Sequence, residues 1–206
     1  PAANMAPIRE TLAAGILDIA RYKHFERLCD PMCGSGTIAI EAALRASNAA
    51  PGLNRSFLCE SWPQLPRSLF SEARAEARAA ALSRPLEIVA SDIDRRAVAL
   101  TRENARRAGV AQCLRVECRD VSALSLPAEG ENVIVCNPPY GERMSELGEV
   151  RALCETMGKA FERQMHRRAY IITSYDDFER AYGRRADKNR KLYNGMIRTY
   201  LYQYFK

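Results

Sequence analysis

Ile8, Leu12, Ile16 and Ile19 recur every three or four positions between residues 7 and 22, and that spacing predicts a helix, with Pro7 suited to its first turn. A short apolar run, FERLC (25–29), then enters DPMCGSGT, and helical periodicity resumes through about residue 46 in IAIEAALRA. From 47 to 66, Pro51, Gly52, Pro63 and Pro66 forbid long elements, while Phe57, Leu58 and Trp62 predict that the segment packs down onto the core. An Ala- and Arg-rich helix is expected over about 67–83. The pattern then runs strand 86–91, helix 95–109 closing on Gly109, strand 113–118 and strand 132–136. A helix over about 146–166 precedes strand 169–174 and a short helix over 176–183.

The end of the chain changes in kind. KLYNGMIRTYLYQYF (191–205) sets Asn194-Gly195 between two β-rich runs, a strong hairpin signal. Strands alternating with helices, then a terminal hairpin, predict an α/β fold: a doubly wound, mostly parallel, seven-stranded sheet with a C-terminal antiparallel hairpin. Such folds bind ligands beyond the carboxyl ends of their strands.

The residues just after each strand are the chemically interesting ones. The first strand ends in Asp30-Pro31-Met32-Cys33-Gly34-Ser35-Gly36, where glycines let backbone approach a ligand and the next helix offers its N-terminal amides. The second ends in Asp92 and Ile93, with the acid placed for ribose hydroxyls. The third ends in Asp120 and Val121, with the acid placed for an exocyclic amine. The fourth runs NVIVC straight into Asn137, Pro138, Pro139 and Tyr140, where two prolines stop regular structure. A single acid at a strand end is usually a helix cap, but acids after three strands together with NPPY ask for another explanation.

Gly34, Gly36 and Ala39 also satisfy the dinucleotide pattern G-x-G-x-x-A. That pattern wants an acid about 20 positions on, whereas Asp92 follows Gly36 by 56, and it leaves NPPY without a role. S-adenosylmethionine fits the acids better than a nicotinamide cofactor does. Asp30 and the loop would face its amino-acid part, Asp92 the ribose, and Asp120 and Val121 the adenine.

Composition narrows the picture further. The 206 residues make room for one domain, and no apolar run approaches the ~20 residues of a membrane span. The start lacks a basic region ahead of its apolar stretch, so no signal peptide is expected. It begins at Pro1 and not at Met, as a piece of a longer protein would. Seven cysteines without a CxxC pair predict a reduced, cytoplasmic protein with cysteines as small packing residues. His24 and His166, the two histidines, have no ligand-spaced partner, so no metal site is expected. Arg163, His166, Arg167, Arg168, Arg184, Arg185, Lys188, Arg190 and Lys191 concentrate much of the +6 net charge late in the chain. That cluster suits either a polyanionic partner or a solvated face.

DPMCGSGT, SDID, RD and NPPY together resemble a class I, Rossmann-like, S-adenosylmethionine-dependent methyltransferase acting on amines. APIRETLAAGIL, APGLNRSFLCESWP, NPPYGERM and the terminal hairpin resemble, more narrowly, the bacterial rRNA guanine-N2 methyltransferases whose members carry an N-terminal THUMP RNA-binding domain. The resemblance implies methyl transfer to the N2 amine of a guanosine in 23S rRNA, and Arg9, Glu10 and Thr11 near the cofactor's methionine end. It also implies that residues 1–206 are one catalytic domain, with an insertion at about 47–84, separated from its THUMP partner. Asn137 and the Pro138 carbonyl would each accept an amine hydrogen, Tyr140 would stack the base, and Glu142 and Arg143 would orient the loop or touch phosphate. An N6-adenine DNA methyltransferase shares the NPPY chemistry, and a catalytically silent RNA-binding module would share the fold.

Overall fold

The structure, a computed structural model, describes residues 8–140 and 147–205. Pro7, Glu142 and Arg143 lie outside the described residues. Strands buried on both faces read as unbroken apolar runs, and the centre of this sheet is built that way. Strands β1 (Arg27–Asp30), β2 (Ile88–Asp92), β3 (Leu114–Cys118), β4 (Asn132–Cys136) and β5 (Arg167–Thr173) run parallel. The hairpin of β6 (Lys188–Asn194) and β7 (Ile197–Phe205) completes a seven-stranded sheet of order β3-β2-β1-β4-β5-β7-β6. β7 alone runs against its neighbours and lies inside the sheet between β5 and β6, so the outer edge is β6.

Helices α1 (Glu10–Ile19), α2 (Thr37–Ala46) and α4 (Arg95–Arg107) cover one face, where Leu28, Val133 and Val135 point. Helices α5 (Leu147–Glu162) and α6 (Phe178–Tyr182) cover the other, where Cys29, Ile134 and Cys136 point. The alternation along β4 therefore feeds two cores at once. Gly158 lets α5 press onto α6: a Cβ there would stand 2.0 Å from the Tyr182 carbonyl oxygen.

Helix α3 (Arg67–Ala80) buries none of its residues. The expectation that 47–66 packs down is overturned as well, since Leu58 is 82%, Trp62 50% and Phe57 39% exposed. Both sheet faces are already covered by other helices, and residues 55–74 are held to one another by polar links instead. Arg74 of α3 pairs with Glu60 and donates to the Arg55 carbonyl.

The late basic cluster divides in two. Arg167, nearly buried, pairs with Glu162, Arg168 pairs with Glu26, and Arg184 bridges Glu162 and Asp187. These arginines hold the amino-end side of β5 to its surroundings. Arg185, Lys188, Arg190 and Lys191 remain exposed. Among the described residues no helix is long and apolar enough to cross a membrane.

Successive strands step outward from β1 in one direction and from β4 in the other, so the order reverses between β1 and β4. Ligand crevices of doubly wound sheets open at that reversal. It brings the loop after Asp30 beside NPPY. Gly158→Ala should destabilise the fold by about 1–3 kcal/mol, because backbone cannot yield as a side chain does; a denaturant midpoint equal to wild type would refute that close approach.

Candidate active site

The loop from Asp30 to Thr37 is shaped by its last glycine. Gly36 takes φ +84° at the start of α2, and a Cβ there would stand 2.7 Å from Thr101 Cγ2. Glycine is therefore needed for conformation and for space. Gly34 and Ser35 are half-buried and Pro31 and Cys33 buried. Asp92 closes the loop from β2: its Oδ2 accepts from the Gly34 amide at 3.0 Å, and its Oδ1 accepts from the Asp94 amide at 2.9 Å. Asp94 in turn caps α4 by accepting from the Arg96 amide.

Sequence reasoning passed over two residues that support this loop from α4. Thr101, fully buried, donates to the Gly34 carbonyl at 2.9 Å, and Asn104 donates to the Ser35 carbonyl at 2.9 Å. The available signal was a polar residue on the buried stripe Val98–Thr101–Ala105 of an otherwise amphipathic helix.

The four acids differ in environment. Asp30 is 1% exposed, and its one hydrogen bond among the described residues is a long one from the Met32 amide, at 3.4 Å. Burial, reinforced by the charge of Asp92 and opposed by that amide, pushes its carboxyl up to about 8. Asp92 is buried and doubly bonded, whereas Asp94 and Asp120 are exposed. Asp120 caps the short turn 121–123 through the Ser122 amide at 2.7 Å, and hydrogen bonding from Ser122 draws its carboxyl below the ordinary range. Capping thus accounts for the local contacts of Asp94 and Asp120, while Asp30 and Asp92 belong to the loop itself. Ile93 stands 69% exposed beside Asp92, an uncovered apolar side chain at a strand end, and Val121 is buried.

At the end of β4, Asn137 is half-buried and Tyr140 is 9% exposed. The Tyr140 hydroxyl donates to Asn137 Oδ1 at 2.6 Å. Burial pushes the phenol up to about 12, against an opposing pull from the Asn194 side chain, so it remains a donor at all ordinary pH. One lone pair of the amide oxygen is committed to Tyr140 and its direction is set, and the other has no donor among the described residues. The sequence expectation used Tyr140 as an open stacking face, but most of the ring is covered. Pro138 is buried and Pro139 half-buried.

Cys33 and Cys136 flank the site. Burial pushes Cys33 up to about 12 and raises Cys136 well above its ordinary value, so both remain thiols and pack as small apolar groups. A cavity of about 910 Å³ opens against the loop, lined in part by Arg9, Glu10, Thr11, Ser35, Thr37 and Glu41. None of Asp30, Asp92, Asp120 or Asn137 lines it.

The family model described as RMKL-like, methyltransferase domain matches residues 1–203. The chain belongs to that family. It is 45% identical over 201 residues to YpsC of Bacillus subtilis strain 168, provisionally named an RNA methyltransferase, covering 97% of this chain and 52% of that one. It is 38% identical over 202 residues to a ribosomal RNA large subunit methyltransferase K/L of Aliivibrio salmonicida, covering 95% and 29%. It therefore spans about half, or less, of the curated relatives it matches. The crystal structure of SMU.472 complexed with SAH superimposes with a TM-score of 0.92 at 37% identity, covering 98% of this chain and 54% of that one.

The raised carboxyl of Asp30 sets a pH dependence. In the unfolded chain it ionises near 3.8, while in the fold it stays protonated to about 8. Rising pH then favours the unfolded state, and Asp30 costs progressively more stability across that window. Asp30→Asn should gain on wild type as pH rises from 4 to 8 and match it near pH 4; parallel urea curves at every pH would contradict the shift.

Proposed function

We propose that this domain transfers a methyl group to the exocyclic N2 amine of a guanosine in large-subunit ribosomal RNA. The observation that carries the reading is Asn137 Oδ1, oriented by Tyr140 and placed at the sheet's reversal point next to the glycine loop. The methyl donor is S-adenosylmethionine, which when bound supplies an electrophilic methyl on a sulfonium. The site fits such a group. Asp30 is a buried carboxyl with no cation bonded to it among the described residues, suited to a ligand that brings positive charge. Ile93 offers an apolar surface beside Asp92, whose position suits a ribose.

An exocyclic amine is a poor nucleophile because its lone pair is delocalised into the ring. The free lone pair of Asn137 Oδ1 and the Pro138 carbonyl each accept one amine hydrogen, and the nitrogen becomes more pyramidal as its lone pair turns outward. The prolines hold that carbonyl at little entropic cost. Tyr140 keeps the amide from rotating away. Positioning supplies most of the acceleration, and the surplus proton leaves to water after transfer. The choice of N2 over adenine N6 comes from the sequence around NPPY, since the motif itself reads only an amine. On the same reading an RNA-binding domain of the THUMP type stands elsewhere in the parent protein, and residues 1–206 are its catalytic domain.

Asn137→Ala should lower methyl transfer to unmethylated large-subunit rRNA by roughly 100-fold or more while cofactor affinity stays within a few-fold. Incorporation of labelled methyl followed by nucleoside mass spectrometry reads both rate and product. N2-methylguanosine is expected; N6-methyladenosine would reassign the base, and undiminished turnover of the variant would remove Asn137 from the mechanism.

A further inference from the structure

The β6–β7 hairpin is unused by the chemistry above, yet its turn reaches the active site. Asn194, at the end of β6, is 5% exposed and lies against the Tyr140 hydroxyl. Its Nδ2 is buried and has no hydrogen-bond partner among the described residues. Gly195 turns the chain with φ +64°, and Arg9 Nη2 comes within 3.8 Å of where a Cβ on that glycine would stand. The turn is therefore wedged between NPPY and the segment entering α1.

Beyond that anchor, four side chains make a grid on one face of the hairpin. Tyr193 pairs across the strands with Arg198, and Lys191 pairs with Tyr200. Directly opposed residues share a face, as do residues two apart on a strand. Lys191 Nζ sits 5.5 Å from the centre of the Tyr193 ring, and the Arg198 guanidinium 5.9 Å from that of Tyr200. Cation and ring alternate in both directions. Tyr193 is 57% exposed, and Met196 at the tip is 97% exposed. Between Lys188 and Phe205 there is no Asp or Glu. Lysines on an edge strand by themselves are a common guard against edge-to-edge pairing. That explanation leaves the uncovered tyrosine and methionine at the tip without a reason.

We propose that the β6–β7 hairpin is an RNA-stacking platform that receives single-stranded nucleotides flanking the target base. The inference rests on the reading of the substrate as RNA. The platform suits that polymer on two counts. Exposed aromatic faces stack unpaired bases of any sequence, and the interleaved cations follow the phosphates. The anchor through Asn194 fixes the distance from this surface to Asn137, so a strand seated on the hairpin presents its next nucleotide to the amine site. Met196 stands at the tip, where an apolar side chain holds apart the bases on either side of an extruded one.

The test measures binding of the full chain to labelled single-stranded RNA oligonucleotides and to unmethylated large-subunit rRNA across a salt series. Tyr193→Ala should weaken binding roughly 5- to 100-fold without changing the salt slope, and Tyr193→Phe should behave as wild type. Lys191→Ala and Arg198→Ala should each reduce the slope of log affinity against log salt by about 0.7. Thermal unfolding of all four should match wild type. If Tyr193→Ala and Arg198→Ala bind with wild-type affinity and slope, the platform is overturned. It is equally overturned if they leave RNA binding intact but abolish self-association in sedimentation, since the hairpin is then a protein interface. A wild-type chain that binds these RNAs with the expected variant pattern but transfers no methyl refutes the proposed reaction and leaves the platform standing.

Discussion

One carboxylate ties the functional edge of the sheet together. Asp92 takes a hydrogen bond from the Gly34 amide on the β1 loop and another from the Asp94 amide at the head of α4. Two loops leaving adjacent parallel strands are thereby held at a fixed separation, which the strand spacing alone does not impose. The low dielectric around these buried bonds raises the cost of breaking either. Thr101 and Asn104 then hold the same loop by its carbonyls from the α4 side. The loop is in this way braced at both an amide and its carbonyls, so its glycines supply shape without supplying slack.

Burial does different work at each acid along that edge. Asp30 and Asp92 sit next to each other below the surface, where two negative charges repel and water is scarce. Asp92 stays satisfied by its amides; Asp30 has little to offset its desolvation, and its proton is retained. The crevice thus pairs one carboxyl fixed by two backbone amides with one whose burial holds its proton. At NPPY the same logic runs through Tyr140, whose buried hydroxyl remains protonated and directs Asn137. Asn194 joins this group from the far end of the chain, which links the terminal hairpin to the site.

Much of this was legible in the chain as written. The alternation of 3.6 and 2 residue periods, with Asn194-Gly195 at the end, is enough for a doubly wound sheet and its terminal hairpin, because each signal is local. DPMCGSGT and NPPY fall where strands end for reasons equally local: glycine freedom and proline rigidity. Residues 47–66 show the limit of such reasoning. Phe57, Leu58 and Trp62 look like core by composition, but composition does not say whether a sheet face is vacant, and here both are covered. The late basic cluster suited either a polyanionic partner or a solvated face by sequence, whereas Arg167 and Arg168 within it are taken up by Glu162 and Glu26.

Local pattern determines where strands and helices begin, which turns need glycine or proline, and which residues follow each strand, since these depend on dihedral freedom and side-chain period. The order of strands, and with it the meeting of the Asp30 loop and NPPY between β1 and β4, depends on contacts across a hundred residues of chain and appears only on folding. So does the placement of β7 inside the sheet, which leaves the cationic β6 at the edge and its turn beside Tyr140. The physical reason is the same in each case. A hydrogen-bond ladder and a buried face are properties of pairs of segments, and no single segment carries the identity of its partner.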